Sequence, residues 1–237
     1  MKKLSVIALA CLSVAFAAYA EAAKPKKRTR SANRIGAYGG ALIGYSNYSN
    51  DQTLNELALE EILEGTGAPI QGELSSSTEN TDIGYQAMFG YRFHRFFSAE
   101  LGLAQFGSLE STARGDLDFG DGFVPTSVSF TYTVGGPVIS AIGILPLNEK
   151  FELFARLGYM FTSAEREFSA RVDGESAGSG ATKGDSQDPV YGIGFAWHIN
   201  QVYSIRGEFQ KLDSLGEASR TGEEDLTVIG LGVIIRF

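Results

Sequence analysis

The final strand-like segment, residues 225–237, constrains the fold more than any other part of this chain. Counted back from the terminal Phe237, every second position carries a bulky apolar side chain: Ile235, Val233, Leu231 and Ile229. The alternate positions combine an arginine and glycines with further apolar residues: Arg236, Ile234, Gly232, Gly230 and Val228. This period of two predicts a β-strand with one apolar face. The direction of that face decides between a soluble fold and a membrane-spanning one.

Similar alternation predicts a closed antiparallel sheet. We identify eight segments, at about 34–46, 81–93, 96–109, 127–146, 151–164, 189–199, 202–212 and 225–237. Three connections are tight turns, at 94–95, 146–150 and 200–201; four are long and polar, at 47–80, 110–126, 165–188 and 213–224. The last but one of these contains a Gly/Ser-rich stretch, 174–184, that predicts a mobile loop tip. Short turns at one end and long loops at the other are typical of an up-and-down barrel.

The charged residues determine which face of the barrel is outside. In 151–161, Glu152 and Arg156 share one face with Gly158, whereas Leu153 and Leu157 belong to the other. The same separation occurs in 83–93 and 203–211. Charges on the glycine-rich face suit a narrow lumen, and a soluble barrel would reverse the arrangement. The sequence therefore predicts an all-β fold, an eight-stranded antiparallel up-and-down transmembrane β-barrel with its apolar face on lipid.

Aromatic residues are expected to form a girdle at each membrane interface. One group lies beside the short turns: Phe93, Phe97, Phe151, Trp197, Tyr203 and Phe237. A second group lies towards the long loops: Tyr45, Tyr132, Phe161, Tyr191 and Phe209. The ten residues from Phe151 to Phe161 span roughly 25 Å at a typical strand tilt, which matches an outer-membrane apolar band.

The front of the chain predicts export. A charged start, an apolar run and a small-residue site at Ala18-Tyr19-Ala20 indicate a signal peptide over 1–20, with cleavage after Ala22 as the alternative. Residues 21–33 would then be a basic periplasmic linker, and 34–237 the barrel in the cell outer membrane. The only cysteine lies in the signal, so the mature chain has no disulfide or cysteine-based metal site. We expect no metal and no cofactor.

Charge excludes one class of partner and suggests another. Without Lys2 and Lys3, 18 basic residues face 28 acidic ones, a net charge of −10 that argues against nucleic-acid binding. Segment 47–80 holds seven acidic and no basic residues. Within it, a capping pattern predicts a short helix over 54–64. Two interpretations stay open for these acidic extracellular loops: a cationic surface ligand or divalent cation binds there, or the loops are solvated and keep barrels apart.

Several segments resemble the transmembrane domain of the outer membrane protein A family. They are Phe97-Ser-Ala-Glu-Leu-Gly, Phe151-Glu-Leu-Phe-Ala-Arg-Leu-Gly, Asp188-Pro-Val-Tyr-Gly-Ile-Gly-Phe and Ile205-Arg-Gly-Glu-Phe-Gln. The terminal Phe237 resembles the signal read by the barrel assembly machinery. The resemblance implies surroundings of outer-membrane lipid and lipopolysaccharide. The family often adds a periplasmic peptidoglycan-binding domain; because this sequence ends at the barrel, we expect that anchoring role to be absent.

Charged residues on the inward face predict an ion-pair network in the lumen: Glu100, Glu152, Arg156, Arg206 and Glu208. Buried charges need partners because desolvation costs several kcal/mol per ion. We therefore expect a network centred on Glu100 and Arg206 that plugs the barrel. The family resemblance implies a Glu–Arg pair that exchanges with a lysine and a second glutamate. Those two positions correspond to Ala141 and Ala196 here, so we expect a fixed plug and no switch.

The predicted function follows from these features. An integral outer-membrane barrel with a structural and surface-interaction role, exerted through acidic loops, fits best. The alternative is a narrow porin-like channel for ions or small solutes, which the resemblance implies for some relatives. Catalysis is not expected, because the only histidines, His94 and His198, lie at short turns on different strands, far from the outer leaflet.

Overall fold

Nine β-strands make up almost all of the residues that the computed structural model describes, which are 34–49, 70–79, 81–118, 123–215 and 224–237. Their bounds are β1 Gly36–Ser49, β2 Ile70–Glu79, β3 Thr81–His94, β4 Phe97–Asp118, β5 Phe123–Pro146, β6 Phe151–Val172, β7 Glu175–His198, β8 Tyr203–Leu215 and β9 Glu224–Arg236. In these ranges no helix is long and apolar enough to cross a membrane. The predicted signal peptide, the linker and the helix over 54–64 lie outside the described residues.

Eight of the strands close into a ring. In the order β1, β3, β4, β5, β6, β7, β8, β9, each strand pairs antiparallel with the next, and β9 pairs back onto β1. The predicted eight-stranded up-and-down barrel is thus confirmed. The remaining strand, β2, pairs only with β4, from Ile70 opposite Leu117 to Glu79 opposite Glu110. Strand β2 therefore continues the sheet beside β4 beyond the end of β3, on the side away from the short turns.

The apolar faces point outward, as predicted. Along the first two-thirds of β6, exposed and buried residues alternate without interruption. Leu157 is 60% exposed, whereas its neighbour Arg156 is 4% exposed. In β9, Leu231 is 57% exposed and Ile234 is 4% exposed. A continuous apolar belt of this kind is unfavourable in water and favourable in lipid, so the barrel surface is a membrane surface.

Two predicted loops are largely strand, which corrects the sequence interpretation. Strands β4 and β5 stay paired as far as Asp118 and Phe123, through the predicted loop 110–126. Strands β6 and β7 stay paired through 165–188 as far as Val172 and Glu175, so the predicted loop tip 174–184 lies almost wholly in β7. Backbone pairing holds this hairpin together without an apolar face. The Phe168 ring packs over Gly180, and Glu165 pairs with Lys183 at 3.0 Å.

Tyr132, predicted to belong to the outer girdle, lies inside the barrel. It is 5% exposed, and its hydroxyl donates a hydrogen bond of 2.9 Å to the Leu215 carbonyl. Tyr132 lies an even number of residues before Ser140, which is also buried, so both side chains point into the interior. The tyrosine can face inward because its one polar group has a partner.

The interior has two zones. The zone away from the short turns is largely apolar and tightly packed, with the buried Asp188 opposite Met160. Its largest apolar members are Tyr48, Phe106, Tyr132, Met160, Leu212, Leu215 and Leu226. The zone near the short turns carries the other buried charged residues, beside a smaller apolar group of Tyr38, Leu42, Met88 and Ile234.

Candidate functional site

Four charged side chains form a closed square across the lumen, which we call the ionic quartet: Glu100 on β4, Arg156 on β6, and Arg206 and Glu208 on β8. The guanidinium of Arg156 lies 2.7 Å from Glu100 and 2.5 Å from Glu208. The guanidinium of Arg206 lies 2.6 Å from Glu100 and 2.8 Å from Glu208. All four residues are at least 96% buried, since none exceeds 4% exposure. Two positive and two negative charges therefore neutralise each other inside the barrel.

Neutral groups complete the quartet. The Tyr38 hydroxyl donates to Glu100 at 2.7 Å, and Arg156 donates to the Ser140 hydroxyl oxygen at 2.9 Å. The Arg206 guanidinium also lies over the Phe154 ring, 4.1 Å from its centroid. These contacts repay part of the desolvation cost of four buried ions. The quartet consequently links β4, β6 and β8 across the lumen.

Glu152 lies apart from the quartet, nearer the short turns, in a second group that we call the mouth cluster. It consists of Arg34, Arg92, Glu152, His198, Ser204 and Arg236. Glu152 accepts two hydrogen bonds from Arg92, at 3.0 and 2.9 Å, and lies 3.4 Å from Arg34.

Sequence reasoning did not assign Arg34, Arg92, His198 or Arg236 to the lumen network. For Arg92 and Arg236 a signal was present, because both belong to the polar face of their strands. His198 is buried as well, at 2% exposure. Its burial beside a turn is not visible in a period-two pattern.

Ala141 and Ala196, which correspond to the family's exchanging lysine and second glutamate, lie in different environments. Ala196 is on β7, paired with Arg206 on β8. Ala141 is on the outward, exposed face of β5, so the assignment of Ala141 to a lumen position is wrong. The interior residue beside it is Ser140, which lies opposite Glu100 and contacts Arg156. A one-residue shift in the alignment moves a side chain to the other face of a strand, which accounts for the error.

The histidines do not form an accessible catalytic group. His198 contacts Ser204 through Nδ1 at 2.8 Å and Glu152 through Nε2 at 3.2 Å, whereas in nucleophilic triads the serine lies at Nε2 and the carboxylate at Nδ1. In addition, Ser204 is fully buried at 0% exposure, and Arg236 donates to its oxygen at 3.2 Å. His94 is exposed at a turn and stacks on Phe97. Within the described ranges, no group of three His, Cys, Asp or Glu residues is arranged to hold a metal ion.

An antiparallel ring of eight strands with an apolar outside and charges inside defines the class of outer-membrane β-barrels. Comparison with known families agrees. The chain belongs to the OmpA-like transmembrane domain family, whose model matches residues 32–237.

Curated relatives include outer membrane protein A from Escherichia, Shigella and Klebsiella species. The protein from Escherichia fergusonii is 26% identical over 238 aligned positions, covering 100% of this chain and 56% of that protein. The Klebsiella pneumoniae protein is 25% identical over 164 positions, covering 68% of this chain and 42% of that protein. The chain thus spans about half the length of the curated relatives it matches.

Solved barrels are similar at lower identity. The N-terminal barrel domain of OprF from Pseudomonas aeruginosa is 11% identical, with a TM-score of 0.42 over 86% of this chain and 98% of that one. OprG from the same organism is 12% identical, with a TM-score of 0.42 over 86% and 98%. Ail from Yersinia pestis is 15% identical, with a TM-score of 0.38 over 86% and 100%.

Proposed function

We propose that this outer-membrane barrel is closed to solutes and has a structural and surface-interaction role. The arrangement of side chains in the lumen supports this most directly. The ionic quartet occupies the lumen at one level, and the apolar zone occupies the levels beyond it. An ion crossing the barrel would have to displace both.

The apolar zone is the stronger barrier of the two. Leu212, Leu226 and Val190 have no exposed surface, and Met160 packs among them. An ion entering this zone loses its hydration and meets few polar groups, the buried Asp188 and Thr162 among them, which costs several kcal/mol. The narrow porin-like channel, the alternative function, would need a rearrangement of this packing.

Conductance across planar bilayers tests the closed state. Refolded protein, shown to be a barrel by its heat-dependent gel mobility, should leave the bilayer silent at about 100 mV because the bore has no aqueous path. A matched control is Lys211→Gln, which removes an exposed charge from the outer face of β8 and should be equally silent. Discrete, reproducible openings of the unmodified protein would contradict the proposal and support the channel.

The surface role is proposed from acidic residues beyond the membrane. Glu79 on β2 lies directly opposite Glu110 on β4, and both are exposed. Glu167 is on the same outer face, next to Thr131, which pairs with Glu110. Like charges directly opposite each other destabilise a sheet unless something compensates them. A cationic ligand, or a divalent cation shared with lipopolysaccharide, would supply that compensation.

A titration with spermine, a soluble polycation, tests this role. The double variant Glu79→Gln/Glu110→Gln should bind spermine about fivefold more weakly. It loses two exposed pairs between a spermine amine and a carboxylate, each of which contributes ~0.5 kcal/mol. Glu149→Gln, at a short turn on the opposite end, is the matched control and should bind normally. Equal spermine affinity of the double variant and the unmodified protein would show that Glu79 and Glu110 do not bind the polycation.

Assembly into the membrane is a further part of the proposed role. Phe237 directly follows β9, its backbone N–H donates to the Ala37 carbonyl at 3.1 Å, and its ring lies beside Gly39. The terminal residue thus contributes to the β1–β9 closure. This position supports recognition of Phe237 by the barrel assembly machinery, with lipid and lipopolysaccharide around the finished barrel.

A further inference from the structure

The chain is strongly basic directly before the barrel. Residues 24–34, which we call the basic segment, contain six basic and no acidic side chains: Lys24, Lys26, Lys27, Arg28, Arg30 and Arg34. Both predicted cleavage sites, after Ala20 and after Ala22, precede this segment, so the mature protein keeps it. Of the six basic residues, Arg34 belongs to the part of the chain that the structure describes. Clusters of positive charge next to a membrane bind anionic lipid, so the position of the segment relative to the bilayer decides its partner.

Arg34 attaches the basic segment to the end of the barrel that carries the short turns. Its guanidinium lies 3.4 Å from Glu152 and donates to the backbone carbonyl of Glu149, in the turn between β5 and β6. Strand β1 then begins at Gly36. In outer-membrane barrels the short turns face the periplasm. The basic segment therefore joins the barrel at its periplasmic rim.

This rim lies at the level of the lipid headgroups. Leu147 and Ile199, each at the start of a short turn, are 56% and 54% exposed. Each donates its backbone N–H across its turn at 3.0 Å, so the two turns are alike. Beside them, the rings of Phe151 and Trp197 stack with their centroids 6.2 Å apart. Aromatic rings mark the membrane interface, and exposed apolar turn residues are stabilised there. Headgroups therefore surround the rim at which the basic segment joins the barrel.

The charges at this end do not balance. Apart from Arg34, which pairs with Glu152, the basic side chains of the segment and the short turns are Lys24, Lys26, Lys27, Arg28, Arg30, Arg95 and Lys150. The acidic groups are Glu149, the terminal carboxylate of Phe237 and, with cleavage after Ala20, Glu21. Glu152 does not neutralise the segment further, because Arg92 donates to both of its oxygens, at 3.0 and 2.9 Å. Seven positive charges face three negative ones, which leaves an excess of four for a partner outside the protein.

We propose that the basic segment binds anionic phospholipid headgroups in the leaflet at the short-turn end of the barrel. Arg30 is four residues from Arg34, and an extended chain of that length spans at most ~14 Å, so its guanidinium can reach the headgroups beside the rim. Attraction to a charged surface decays over ~8 Å at physiological ionic strength, which makes this proximity decisive. The binding adds an electrostatic anchor to the apolar belt. It goes beyond the proposed surface role, which concerns the opposite end of the molecule.

Quenching of a fluorophore by nitroxide-labelled headgroups tests the proposal. The mature chain has no cysteine, so Ala23→Cys places a single fluorophore directly before the basic segment. The refolded protein, checked by heat-dependent gel mobility, is placed in nanodiscs with the same content of nitroxide lipid. Quenching should be about threefold stronger in discs of mixed phosphatidylcholine and phosphatidylglycerol than in discs of phosphatidylcholine alone. High salt should remove the difference, because it screens the attraction.

Two variants of the labelled protein separate charge from sequence. Lys26→Gln/Lys27→Gln/Arg28→Gln/Arg30→Gln should be quenched equally in both lipids, whereas Lys26→Arg/Lys27→Arg keeps every charge and should keep the lipid dependence. Equal quenching of the Ala23→Cys protein in the two lipids would overturn the proposal. So would a lipid dependence that survives in the neutralised variant. A fluorescence response to soluble polyphosphate, with none to phosphatidylglycerol, would also overturn it, because the partner would then be a soluble polyanion.

Discussion

At the residue scale, burial makes each member of the ionic quartet dependent on the others. Glu100 contacts both arginines, and Glu208 contacts both as well. Both arginines are almost completely buried, since each is 4% exposed. Removing one carboxylate therefore leaves two buried guanidinium groups to share a single negative charge. The energetic consequence is set by the charge left behind more than by the hydrogen bonds lost.

Glu100→Gln should be strongly destabilising for that reason. We expect a loss of about 3–5 kcal/mol in the free energy of unfolding, measured by urea titration of the refolded barrel in detergent. Glu149→Gln is the control, because Glu149 is exposed at a short turn; its effect should stay within about 0.5 kcal/mol. A Glu100→Gln barrel that is as stable as this control would show that the quartet contributes nothing to folding.

The sequence predicts side-chain direction well at this scale, but it does not predict partners. Period-two alternation places Arg156, Arg206 and Glu208 inside the barrel, and the structure has them there. Which cation meets which carboxylate depends on the stagger between strands, which no single strand encodes. The separation of Glu152 from the quartet and its pairing with Arg92 follow from that stagger.

At the element scale, the sequence predicts strands only where lipid requires an apolar face. Inside the membrane, alternation marks the spans because every outward side chain must be apolar. Beyond the girdle that requirement ends, and the β6–β7 hairpin continues with Glu165, Lys183 and Gly180 on its strands. Backbone hydrogen bonds and a few cross-strand pairs hold the extension together. Backbone hydrogen bonds and isolated cross-strand pairs leave no periodic pattern in the sequence. A strand of this kind is therefore predicted as a loop.

A bulge in β4 is equally invisible in the sequence pattern. The pairing with β5 shifts between Gln105 and Ser108, and Gly107 adopts a φ of 76° there. The Asp82 carboxylate accepts a hydrogen bond from the Ser108 backbone N–H at 2.8 Å. Glycine at this position avoids the strain that a side chain would meet. The bulge lies between the membrane part of β4 and the part that pairs with β2.

At the scale of the whole molecule, the fold separates three environments. Lipid contacts the outside, the apolar zone and the quartet fill the inside, and opposite charges predominate at the two ends. The described acidic residues Glu79, Glu110 and Glu167 are exposed at the end away from the short turns, whereas Arg34, Arg92 and Arg236 lie together at the end with the short turns. The outward direction of the apolar face separates these environments.

Paramagnetic broadening by spin-labelled lipids tests that orientation directly. The methyl resonances of Leu157 and Leu231, which are 60% and 57% exposed on the outer surface, should broaden strongly in bicelles that contain a doxyl-labelled acyl chain. Met160 and Leu212, both fully buried in the lumen, should stay sharp at the same label concentration. Broadening of Met160 and Leu212, with Leu157 and Leu231 protected, would contradict the account.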